Sequence, residues 1–157
     1  METVTEAVNE KVRLLAPDLR TGFPRSPRET AIGGYVIAAR ALDKCRAALA
    51  GVQGEYNWDC PLDKRFFEFA GIDSAAFRSF VATGATDEEV SGWVKAHAKQ
   101  QAPEEIILWN NKERDRRLSD LSPKSQVYME EYIQKNIPRN RVIHHYFDLY
   151  DIEEQRI

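Results

Sequence analysis

Three arginines and one cysteine carry most of the chemistry available to this sequence. Arg20, Arg25 and Arg28 crowd the stretch DLRTGFPRSPRE, Asp18–Glu29, just ahead of or inside the first turn of an expected helix. The exposed N–H groups and dipole of such a turn favour an anion, and a planar guanidinium holds a carboxylate or phosphate in a two-pronged fork. Cations at that end oppose the dipole, so three of them require negative charge nearby. Either a bound small anion supplies it, or the protein's own carboxylates do, with Glu29, Asp59 and Asp63 as candidates.

The second stretch is YNWDCPLD, Tyr56–Asp63. Pro61 drives Cys60 toward an extended backbone, the geometry of a helix cap, and sets its sulfur beside first-turn N–H groups. A nucleophilic cysteine also needs a base. No histidine is close in sequence, although His97, His144 or His145 can approach in space. Asp59 and Asp63 sit unfavourably for an anionic sulfur, and a buried, inert thiol is the alternative. Spaced four apart, these two aspartates suit a general acid/base pair or the partners of Arg46 and Arg25. His97 continues the apolar stripe of Val90 and Trp93 and reads as a core residue. Adjacent His144 and His145 point apart and make a poor metal pair, so no metal is expected.

The elements that position these residues are helical. Apolar spacing follows the 3.6-residue period nearly throughout, with one ambiguous alternation at Val142–Phe147. Val4, Val8, Val12 and Leu15 mark a short helix before Pro17. Ser26-Pro27-Arg28-Glu29 has the form of a capping box and predicts a helix over 27–50 that Gly51 ends. Cys60-Pro61 opens a helix to Ala70 that stops at Gly71. Asp73 or Ser74 opens the next, which stops by Gly84. Thr86–Glu89 forms a second capping box, and Pro103 and Pro123 each start a further helix, the first through Ile106, Trp109 and Arg117. The end is either an extended arm or a short helix over Phe147–Glu154. Tyr128, Tyr132, Tyr146 and Tyr150 with Phe147 can form an aromatic patch there. The expected fold is all-α: a compact single-domain bundle of about six to seven helices around the central helix 27–50. Residues 1–17 form an N-terminal arm, 18–100 the core and 101–157 the C-terminal helices.

That central helix is apolar almost all round and should be enclosed. Arg40, Asp43 and Lys44 form its one polar strip, while Arg46 falls inside the apolar arc and must be paired, with Asp43, Asp59 and Asp63 as the available acids. Gly33 and Gly34 allow another backbone to approach closely.

The blocks DLRTGFPRSPRE, GGYVIAARALDKCRA, GEYNWDCPLDKRFFEFAGID and TDEEVSGWV, in this order, resemble a family of short bacterial proteins catalogued as domain of unknown function 5069. The likeness covers Asp18 to about Val94 and thins after Gln100. Cys45 stands where the resemblance leads one to expect a smaller residue such as alanine. It implies no reaction, cofactor or catalytic residue, so the side chains must be weighed on their own chemistry.

Composition narrows the partners. The chain has 157 residues, a net charge of −3, and 30% charged residues of both signs intermixed, so no basic field exists to hold nucleic acid. No apolar run approaches the ~20 residues of a membrane helix. The acidic start lacks a secretory leader pattern, and two cysteines without metal spacing fit a reducing cytoplasm. Three readings remain. A polar pocket built from Arg20, Arg25, Arg28, Asp43, Arg46, Tyr56, Asp59 and Asp63 binds a small anionic molecule. Alternatively the same residues are an internal ion network in a protein that contacts a partner protein or forms a homodimer. In the third, the chain is a thiol-dependent enzyme using Cys60 with Asp63. No cofactor is implied by any of them.

Overall fold

The computed structural model describes residues 10–157, and among them there is no strand. The protein is all-α. Val4 and Val8 of the expected first helix lie outside the described residues, while residues 10–15 are helical and form α1. The helices that follow are α2 (Ala38–Ala50), α3 (Pro61–Ala70), α4 (Ser74–Val81), α5 (Asp87–His97), α6 (Pro103–Arg114), α7 (Pro123–Asn136) and α8 (Tyr146–Glu153). No helix among the described residues is long and apolar enough to cross a membrane. Backbone proximity divides the chain into two compact units, one ending at Ala102 and one running from Pro103 to Ile157.

The central helix begins later than its sequence suggests. Instead of starting at Pro27, α2 starts at Ala38, and the ten residues before it form successive turns. Gly33 (φ 65°), Gly34 (φ 86°) and Ile37 (φ 74°) all adopt left-handed backbone, which a right-handed helix cannot contain. Ser26 still uses its hydroxyl locally, accepting the N–H of Arg28 at 3.2 Å, but that bond closes a turn and caps no helix. The loop then folds back, so that Ile37 N–H donates to Pro27 O at 2.8 Å. The Gly33 N–H donates to Ser91 Oγ at 2.9 Å, pinning the loop to α5.

The remaining starts in this unit follow their local chemistry. Pro61 occupies the first turn of α3, and Gly71 ends it in left-handed backbone. Asp73 caps α4 by accepting the Ala76 N–H. Thr86 and Glu89 exchange side-chain and backbone bonds in a full capping box at α5. Around α2 the packing is complete: Ala39, Leu42 and Cys45 are buried, and so are the charged Arg40, Asp43, Lys44 and Arg46. The polar strip expected on this helix is thus an enclosed one. Tyr35, in the loop before α2, meets Phe66 of α3 edge-on, and Phe66 meets Phe77 of α4 in the same way, a favoured aromatic geometry.

In the second unit α6 ends at Arg114, short of Arg117, and a single 3-10 turn at Leu118–Asp120 follows. Ile137, Leu149 and Ile152 form a small core flanked by Tyr132 and Tyr146. The ambiguous end is helical from Tyr146, because Asp148 accepts the N–H groups of His144 (2.9 Å) and His145 (2.8 Å) and so caps α8.

Candidate functional site

Helix α2 carries Asp43 and Arg46 three residues apart and therefore on one face. The 25–37 loop brings Arg25 to that face, and the first residue of α5 brings Asp87. Arg25 grips Asp43 with its backbone N–H (2.8 Å to Oδ2), its Nε (3.1 Å to Oδ2) and its Nη2 (3.0 Å to Oδ1). Its remaining Nη1 donates to Asp87 Oδ2 at 3.0 Å. Arg46, almost fully buried, donates from Nη1 to Asp87 Oδ1 at 2.7 Å and from Nη2 to Ala85 O at 2.9 Å. The Arg46 Nε is buried with no acceptor among the described residues. Asp87 thus bridges two guanidinium groups. Partial burial works to raise its carboxyl, but the hydrogen bond from Arg46 and the charge of Arg25 outweigh it and hold Asp87 below the usual carboxylate range.

An open cleft of about 650 Å³ lies over this cluster, lined by Leu15, Pro17, Arg25, Asp43, Arg46, Thr86, Asp87 and Glu88. Its volume falls within the ~300–1,000 Å³ of small-molecule sites. At the adjoining helix start the Thr86–Glu89 capping box already engages the N–H groups of Thr86 and Glu89.

Of the residues expected at one site, only Arg25, Asp43 and Arg46 meet in this cleft. Arg20 forks onto Asp18 two residues away, Nε and Nη2 each at 3.0 Å, and stays exposed. Arg28 lies outside the cleft lining. Tyr56 sits beneath Arg40, whose Cζ is 5.6 Å from the ring centroid. The carboxylates that offset the loop arginine are Asp43 and Asp87; Asp59 and Asp63, the acids nearest in sequence to the next helix start, pair with lysines. Asp87 is not legible as a site residue, because TDEE has the form of a helix cap. At the first helical position its side chain is free to leave the helix, and that freedom was the available signal.

Asp59 and Asp63 belong to a second cluster. The buried Lys44 ammonium donates to Cys60 Sγ at 3.0 Å and lies 3.0 Å from Asp63 Oδ2. Asp63 is wholly enclosed; desolvation pushes its carboxyl upward even against the Lys44 charge. Its Oδ2 also accepts the Asp59 N–H at 2.9 Å, while Oδ1 has no partner among the described residues. Asp59 adopts φ 58° and pairs with Lys64 at 3.1 Å and Ser74 Oγ at 3.1 Å. The other cysteine, Cys45, is sealed in the core, and burial pushes its thiol up to about 12.

His97 departs from its expected core position. It is exposed and stacks on Trp93 with centroids 4.2 Å apart. In the C-terminal unit, Tyr146 and Tyr150 share a hydroxyl hydrogen bond of 3.0 Å, and Tyr128 stacks on Tyr132 at 6.1 Å.

No curated protein matches this chain. A family model does, and it extends past the four blocks that carry the resemblance to take in the C-terminal helices as well. Matched over residues 21–156 by the model described as Domain of unknown function (DUF5069), the chain belongs to that family.

Proposed function

We propose that the cleft over Arg25, Arg46 and Asp87 binds a small organic anion, a carboxylate or phosphate ester, and that Asp87 holds the anion's place in the empty protein. The position of Asp87 carries this reading. One half-exposed carboxylate accepts an Nη donor from each guanidinium, at 3.0 and 2.7 Å, and an entering anion can take over the same two bonds. Asp43 stays on the other edge of Arg25, so Arg25, Arg46 and Asp43 together leave one positive charge once Asp87 swings out. The buried, unmatched Arg46 Nε adds a donor beside the cleft.

A second reading is favoured by the charge balance: two arginines meet two aspartates, as in an internal ion network that fixes the loop and α5 to α2 in a protein acting through a partner. Melting the wild type and Asp87→Asn with inorganic phosphate or citrate separates the two. Ligand binding predicts a concentration-dependent rise in Tm that grows several-fold in apparent affinity in Asp87→Asn. A purely structural network predicts no anion response in either protein; a lower Tm of the variant without ligand is common to both readings. The two free thiols fit a reducing compartment, and we place the chain in the cytoplasm of a bacterial cell.

A further inference from the structure

The cleft leaves unused the buried Lys44 and Asp63 and the half-buried Cys60. Lys44 projects from the enclosed face of α2, and Cys60 caps α3 with extended backbone and no side-chain capping bond. The sulfur is therefore free of the helix start and is engaged by the ammonium at 3.0 Å. Exposure differs across the pair: Cys60 is partly open to solvent, whereas Lys44 is buried. A small oxidant from solvent meets the sulfur first. Behind the amine stands Asp63, fully buried, 3.0 Å from Nζ through Oδ2 and with an orphaned Oδ1. An enclosed carboxylate with an empty acceptor site is a ready receiver for a proton from Nζ.

We propose that Cys60 is a hydroperoxide-reactive thiol whose oxidised form is trapped by Lys44 as a reversible sulfur–nitrogen cross-link between α2 and α3. In the first step the sulfur attacks one oxygen of hydrogen peroxide or an alkyl hydroperoxide. An S–O bond forms and the O–O bond breaks; the sulfur gives up two electrons. The thiol proton leaves with the reduced oxygen as water or an alcohol, and Cys60 becomes a sulfenic acid. In the second step the Lys44 ammonium passes a proton to Asp63, and the neutral amine attacks the sulfenic sulfur. The S–N bond forms, the S–O bond breaks, and the departing hydroxide takes a second proton from Nζ to leave as water. The product is a sulfenamide, and no further oxidant is consumed. A thiol reductant reverses it in two exchanges: one thiol attacks the sulfur, releasing the amine and leaving a mixed disulfide, and a second thiol attacks that disulfide to return Cys60.

Cys45 serves as an internal reference, being sealed in the core with its thiol far from reactive. The purified full chain, freed of reductant, is treated with hydrogen peroxide, digested, and mapped by mass spectrometry with and without dithiothreitol. The expected result is a peptide pair joined through Lys44 and Cys60, lighter than the sum of its parts by two hydrogens. Dithiothreitol abolishes it, and it is absent from Cys60→Ser and from Lys44→Arg. Lys44 and Cys60 peptides that stay separate would overturn the proposal, whether Cys60 is untouched at peroxide doses that oxidise glutathione or carries a sulfinate. Should Lys44→Arg fail to fold, the wild-type map decides alone, because it reads the joined residues directly.

Discussion

Arg25 holds Asp43 by three donors at once, its own backbone N–H and the Nε and Nη2 prongs of its guanidinium, at 2.8, 3.1 and 3.0 Å. The bond joins an irregular loop to the most enclosed helix of the protein, and both side chains are largely buried. Replacing Asp43 with alanine strands the Nε and Nη2 donors of Arg25 and a backbone donor in a partly dry site. A loss of about 3 kcal/mol is expected, the scale for breaking one side of a buried pair, read as a lower urea midpoint. Arg25→Lys should cost much of the same, since an ammonium cannot make the fork.

Asp87 makes the acid limb of stability asymmetric. Its carboxyl is held below the ordinary value of 3.8, so the folded chain binds the proton less readily than the unfolded one. The stabilisation is present above that value and is lost as pH falls through the lower folded value. Asp63, raised by burial, acts with the opposite sign, its contribution shrinking as pH rises above 3.8. The diagnostic quantity is therefore the difference between wild type and Asp87→Asn. The gap in unfolding free energy should be widest near neutrality and close below pH 3.8; a gap constant with pH would refute the role given to this carboxylate.

Thiol titration offers a simple check on the two cysteines. Burial places the Cys45 thiol at about 12 and leaves no path to solvent, while Cys60 is partly open. An aromatic disulfide reagent should register one thiol in the native protein at pH 8 and two in denaturant. Cys60→Ser should reduce the native count to none. Two fast native thiols would mean that α2 opens on the timescale of the assay.

How much of this is legible in the sequence depends on whether the signal is local. The Cys60-Pro61 opening with Gly71 as its stop, and the Thr86–Glu89 capping box, depend on neighbours within one turn, and each appears as expected. Ser26-Pro27-Arg28-Glu29 has the same local grammar, yet the chain there serves tertiary contacts: Gly33 N–H to Ser91, Ile37 N–H back to Pro27. The site divides in the same way. Arg46 is legible as a charge inside an apolar arc and Arg25 as a loop cation in need of an acid, while Asp43 reads only as part of the polar strip. Asp87 is 62 residues from Arg25 in sequence, and nothing in the spacing of either residue announces that long-range pair. Lys44 and Arg40 are legible as polar residues but not as buried ones, since residues distant in sequence cover them: Cys60 and Asp63 against Lys44, Tyr56 against Arg40.

The two glycines of that loop should respond unequally. Both have left-handed backbone, so alanine at either costs about 1–2 kcal/mol in strain. A Cβ at Gly34 meets nothing within 4 Å, whereas one at Gly33 would lie 2.7 Å from Val94 Cγ1, and Val94 is completely buried. Gly33→Ala should therefore destabilise the protein distinctly more than Gly34→Ala in chemical denaturation. Equal losses would show that the loop does not pack on α5 through Gly33.

The Lys44–Asp63 pair allows a test by a double-mutant cycle. Both side chains are removed from water, 3.0 Å apart, and dehydration of two ions offsets much of their attraction. Removing either one alone leaves a buried charge without its nearest partner, so Lys44→Met and Asp63→Leu should each lose roughly 3–5 kcal/mol. Lys44→Met combined with Asp63→Leu should cost less than the sum of the single losses by a coupling of about 1–3 kcal/mol. Recovery will be partial, because Asp63 also accepts the Asp59 N–H at 2.9 Å, and leucine strands that donor beside a residue already held at φ 58°. Strict additivity would mean that the two charges do not sense each other in the folded protein. Full recovery would mean that the Asp59 N–H finds water once the carboxylate is gone.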